Sequence, residues 1–201
     1  MVKADCGGCN GCSRCCHGMG NSIILDPYDV YRMTTGMGKS MQELLAASVE
    51  LNVVDGVILP NLKMQGTEEA CAYLDEEGRC SIHPYRPGIC RLFPLGRYYE
   101  NGGFSYFLQT GECAKENRSK IKVSKWIDTP DLPRNQQFTL QWHDLLHAME
   151  ERLTGEDEGK QREENLLLLR LFYLLPYEGT IDFYTQFTER MEHWNGKNGQ
   201  I

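Results

Sequence analysis

"CGGCNGCSRCCHGMG", residues 6–20, sets five cysteines within eleven positions, and the use made of those thiols decides what the rest of the chain must build. In the run Cys6-x2-Cys9-x2-Cys12-x2-Cys15, two intervening residues let a tight turn aim successive sulfurs at one metal or cluster. Three thiols at this spacing with a distant fourth are how ferredoxin-type loops hold a [4Fe-4S] cluster. The distant partners are available as Cys71, Cys80, Cys90 and Cys113. Neighbouring side chains in an extended or turn segment point apart, so Cys15 and Cys16 imply two destinations. With Cys6 set aside as the spare, Cys9, Cys12, Cys15, Cys16, Cys71, Cys80, Cys90 and Cys113 form an eight-ligand set for metal and cofactor. They suffice for two four-thiolate centres or one larger assembly; alternatively, one centre takes four and the others stay buried thiols.

Nine cysteines read differently in different compartments. The opening "MVKADCGGCNGC" has no apolar leader, and the longest apolar run, "NLLLLRLFYLLP" from Asn165, is broken by Arg170 and too short for a bilayer. The expectation is a cytoplasmic protein with no membrane partner, where a dense, odd-numbered cysteine set means metal or redox chemistry and not disulfides. A formal charge of −7 with scattered Lys and Arg argues against nucleic acid as partner. At 201 residues and 41% hydrophobic, the chain has a core of its own and needs no metal merely to fold.

Along the chain, "NSIILDP" reads as a short strand and "DPYDVYRMTTG" as a helix with Asp26 as N-cap and Pro27 first, stopped by Gly36 and Gly38. Ser40 with Glu43 forms a capping box for a helix running to Leu51. Residues 53–65 read as a hairpin or strand pair broken at Gly56 and Pro60. "CAYLDEEGRCSIH" reads as a two-stranded ribbon turning at Glu77 and Gly78, and Asn101–Gly102 as a second hairpin turn. Beyond "DTPDLP" the pattern turns helical, and no cysteine follows Cys113. The expected fold class is α+β: a loop-rich cysteine/metal module with small antiparallel sheets over residues 1–128, with a helical C-terminal extension, 129–201, packed on it.

Arg86, Arg91 and Arg97 are candidates to offset thiolate charge, and Tyr98, Tyr99, Phe104, Tyr106 and Phe107 to shield the centre. His17 is a further candidate ligand, weighed against thiols that already fill two centres. His143 and His147 share a helix face without the glutamate of a zincin helix, which favours a packing role.

The head "CNGCSRCCHGMG", the segment "CAYLDEEGRCSIH" and above all "RPGICRLFP" resemble the YkgJ-type cysteine cluster family, described as zinc- or iron-chelating domains and related to a module of flagellin lysine methylases. The resemblance covers Cys6 to Cys113. It places Cys9, Cys12, Cys15, Cys16, Cys71, Cys80 and Cys90 at the family's cysteine positions, with Cys113 at the later one of some members. His83 stands where the family has an aromatic residue. The resemblance implies a metal or iron-sulfur centre and no particular reaction.

Three functions follow as expectations. The first is a protein with one or two iron-sulfur clusters, of [4Fe-4S] type, acting in electron transfer or as a redox or enzyme-accessory module with a protein partner. The second is a zinc protein whose four-cysteine sites fix a protein-interaction module. The third, by family association alone, is an enzyme modifying protein side chains. Wide, irregular intervals between the later cysteines favour the first, since structural zinc sites come as paired C-x2-C knuckles.

Overall fold

The computed structural model describes residues 1–5, 7, 12–113, 115 and 117–198; Cys6, the expected spare, and Cys9, an expected ligand, lie outside the described residues. The elements in chain order are β1 (Val2–Asp5), a 3-10 turn at Arg14–Cys16, α1 (Pro27–Met37), α2 (Met41–Ala47), β2 (Val49–Val54), β3 (Val57–Leu62), β4 (Met64–Gln65) and β5 (Ala70–Cys71). A 3-10 turn at His83–Tyr85 follows, then α3 (Gly88–Leu92), β6 (Leu95–Glu100), β7 (Gly103–Leu108), β8 (Ser119–Ile121) and α4 (Val123–Ile127). The chain ends in α5 (Leu132–Leu153), α6 (Glu158–Leu169), a widened π turn at Arg170–Leu174, and α7 (Phe183–Asn198). The strands pair antiparallel in twos, β1 with β8, β2 with β3, β4 with β5 and β6 with β7. The fold is α+β.

Local signals set several boundaries. Asp26 caps α1 reciprocally with Asp29, each carboxylate accepting the other's backbone N–H (2.8 and 3.3 Å). Gly38 ends that helix in the left-handed region at φ 64°. Gly36 does not stop it. It lies inside α1 because a β carbon there would stand 2.3 Å from the Tyr85 ring.

The Ser40–Glu43 box starts α2 as expected, but the helix ends at Ala47 and the chain goes directly into β2. Val49, Val53 and Val54 favour extended backbone, and Asp55–Gly56, both at positive φ, close the hairpin onto β3. Leu51, expected on a helix face, is instead exposed on a strand. Pro60 does not break β3; it pairs with Leu51 and its carbonyl accepts from Leu25 N–H at 2.8 Å. Residues 23–25 therefore run beside β3, with an isolated bridge at Ile24 where a strand was expected.

One buried cluster joins the front and back of the chain: Leu25, Met33, Leu44 and Leu62 are in the same core as Phe138, Met149, Leu168 and Phe187. Polar ties fix the register. Tyr173 Oη donates to Leu25 O (3.0 Å), and Asn165 bonds Ile58 N (2.6 Å) and Gly56 O (3.3 Å) at the hairpin tip. In the leucine run of α6, Leu168 and Leu169 face inward while Leu166 stays exposed.

The carbonyls of Leu171, Leu175 and Pro176, at and after the π turn, accept from the buried Arg190 guanidinium, which stacks 3.5 Å over Tyr177. Sequence analysis did not single out α7. Its signal was Phe183, Phe187, Arg190 and Trp194 at spacings of four, three and four, the stripe it buries.

Candidate metal centre

A cavity of about 860 Å³ opens between the head, β5 and the segment around α3, and Cys12, Cys15, Cys16, Cys71, Cys80 and Cys90 line it. Four short pieces of chain bring these thiols together: the head, β5, the segment at Cys80, and α3. In the head, Cys16 N–H donates to Ser13 O (2.8 Å), closing the 3-10 turn. Cys15 and Cys16, expected to point apart and serve two destinations, both line this one cavity. His17 bridges Ala70, and Gly18 N–H donates to Glu69 O (3.0 Å), docking the head on β5.

Cys71 pairs with Met64 in a strand pair outside the expected ribbon. Asp75 takes over that segment, its carboxylate accepting from Glu77 N (3.0 Å) and Arg79 N (2.7 Å). This side-chain-nucleated turn leaves one bridge, Leu74 to Cys80, in place of a ribbon. Both cysteines still reach the cavity.

Cys90 rides on α3, whose start is pinned from α1. Asp29 accepts from Gly88 N–H (2.6 Å) and faces Arg91 at 3.7 Å, both side chains being buried, while Arg91 Nη1 donates to Thr129. Sequence reasoning missed Asp29 in this role. Only its place in the capping box was local; its contact with Gly88 spans 59 residues.

The thiols act on one another. The Cys16 thiol hydrogen-bonds to Cys15 and, with the nearby Arg86 charge, pulls Cys15 down to about 6 against its burial. Cys16 is pushed up by that same bond, by burial, and by Cys15, Cys71 and Cys90. Cys71, Cys80 and Cys90 are raised first by burial and then by charges that include Cys15. Each thiolate therefore makes the next harder to form, and a set of this kind sheds its protons together only to a cation.

Soft sulfur donors suit zinc and iron-sulfur centres. The donor chemistry fits a metal. Among the described residues, no three Cys, His, Asp or Glu side chains gather closely enough to hold one ion, the thiols being distributed round the wall.

Of the three arginines expected to balance this charge, Arg86 lines the cavity and acts on Cys15 and Cys80. Arg91, one residue past Cys90, is turned about the helix onto Asp29, and Arg97 acts on Asp26 and Tyr99. The aromatic patch is also elsewhere. None of its five residues lines the cavity: Tyr99 stacks on His143 of α5 (3.8 Å), Phe104 and Tyr106 pack beside it, and Tyr98 and Phe107 are exposed. The aromatic residues on the wall are Tyr73 and Phe93. His17 and His83 also line it, His17 with Nδ1 at 3.4 Å from Glu68 O. Cys113 is half-buried and directly follows two wall residues, Gly111 and Glu112, without being one itself.

This is the build of a chelating domain, in which a folded core presents a thiol-lined cavity. Residues 8–126 match the CxxCxxCC family, described as "Putative zinc- or iron-chelating domain", and the chain belongs to that family. No curated protein and no solved structure gives a match. No helix among the described residues is long and apolar enough to cross a membrane.

Proposed function

We propose that the cavity carries an iron-sulfur centre, of [4Fe-4S] type, through which the protein exchanges electrons with a protein partner. The observation that carries this reading is the distribution of six thiols around one cavity, where a structural zinc site draws four ligands about a point. Cys12, Cys15, Cys16, Cys71, Cys80 and Cys90 would hold the centre, with Cys9 and Cys113 completing the set of eight. Bound there, the centre would supply a one-electron donor and acceptor.

The chain's own residues do the rest. Arg86 offsets thiolate charge, the Asp29–Gly88 bond orients the helix bearing Cys90, and Ile23, Leu62 and Leu95 keep part of the wall dry. A dry wall and nearby charge are what tune a cluster's potential.

Protein purified without oxygen is expected to be brown, with charge-transfer absorption, matching iron and acid-labile sulfide, and an electron paramagnetic resonance signal on reduction. A colourless preparation holding stoichiometric zinc, unchanged by anaerobic reconstitution with iron and sulfide, overturns the reading in favour of a zinc module.

A further inference from the structure

We infer that the cavity is also a binding site for a small organic anion, a carboxylate on an apolar body, seated beside the metal centre. The inference rests on the proposed centre only for the room that centre leaves. Counting each atom of an eight-atom four-iron core at a water's ~30 Å³ gives about 240 Å³. That is under a third of the 860 Å³ present. Even two cores leave on the order of 400 Å³, within the span of ligand pockets.

The remaining wall has the composition of such a pocket. Ile23, Leu62, Met64, Ile82, Phe93 and Leu95 give it an apolar surface, far more than a thiolate centre needs as ligands. Its charged residues are of the opposite sign to the whole molecule. Arg14, Arg79 and Arg86 face one carboxylate, Glu112, in a chain whose formal charge is −7.

Among the described residues, Arg14 and Arg86 make no side-chain hydrogen bond or ion pair, and Arg86, whose charge acts on Cys15 and Cys80, would sit between the centre and the ligand. Gln109 adds an amide to the same wall. A cation-rimmed opening over an apolar floor selects an anion with a hydrophobic body, and the guanidinium fork matches a carboxylate.

The test is calorimetric titration of the metal-loaded protein, at physiological ionic strength, with 4-phenylbutyrate, its amide, and 4-phenylbutylammonium. The carboxylate is expected to bind at one per chain and about tenfold tighter than either isostere, with the margin shrinking as salt is raised. Arg14→Gln and Arg86→Gln each weaken the carboxylate about tenfold, while the Lys variants keep most of the affinity. Urea midpoints of each variant confirm that it is folded.

Equal binding of the three probes, no binding at all, or a carboxylate affinity untouched by either Gln variant overturns the inference. So does binding that appears only after the metal is stripped. A zinc-loaded, colourless protein that still selects the carboxylate defeats the iron-sulfur reading and leaves this site standing.

Discussion

Asp29 is the residue on which the geometry near Cys90 turns. It is buried, accepts the first amide of α3, and faces a buried arginine. Removing it by Asp29→Ala leaves Arg91 without its counter-charge, and the expected cost is about 3 kcal/mol in urea unfolding. Its titration gives a second test. Burial, then the Asp26 carboxylate, raise Asp29 to about 7 in spite of Arg91.

An acid held above its unfolded value of about 3.9 binds its proton more tightly in the folded chain. The stability it contributes is present below that value and disappears as pH rises through 7. The parent should therefore lose stability between pH 5 and pH 8 relative to Asp29→Asn, and parallel pH profiles for the two proteins count against this.

Among the thiols, Cys15 is the one whose charge reaches Cys16, Cys71, Cys80 and Cys90. Cys15→Ser is expected to lower metal affinity at least about tenfold. Cys113→Ser, off the wall, should retain most of its metal. Metal analysis after competition with a chelator distinguishes the two.

At the scale of elements, what was legible was what was local. The Asp26 N-cap, the Ser40–Glu43 capping box, the Asn101–Gly102 turn and the α+β class followed from residues within a few positions of one another. Elements that depend on distant contacts were misread. The helical spacing of α2 appeared to continue to Leu51 because nothing nearby says that Val49 will meet Leu62 across a hairpin. The ribbon over 71–80 failed because Asp75 binds its own backbone while Cys71 finds Met64.

For the site, six of the eight cysteines that spacing grouped together line one cavity, and Cys113 does not. The apolar half of the cavity was not legible, because Ile23, Leu62 and Leu95 read as ordinary core. Gly36 shows how close these distant contacts are. The His83–Tyr85 turn, a few residues before Cys90, rests on α1 at that glycine. Gly36→Ala should cost about 2 kcal/mol by forcing Tyr85 outward, measured as a lowered urea midpoint.

For the whole molecule, the cavity is built against the core and shares Ile23, Leu62 and Ile82 with it. A core that draws on Leu25, Phe138, Leu168 and Phe187 needs no ion to hold it. Stripping the metal should therefore leave the far-ultraviolet dichroism of the helices intact while lowering the melting temperature by on the order of 10 °C. Loss of the helical signal along with the metal would instead mean that the centre is an obligatory part of folding, as in a zinc finger.

The same core sets a timetable for the head. Its cysteines leave the ribosome before the chain that braces them, which includes Glu112 on the wall and Tyr173, reaching back 148 positions to Leu25. Until the chain as far as Tyr173 has been made, the nascent thiols lack this brace and stand open to oxidants and stray ions. Insertion of the inorganic component is accordingly a late, post-translational event, and recombinant yield should depend on how reducing the cell stays during that wait.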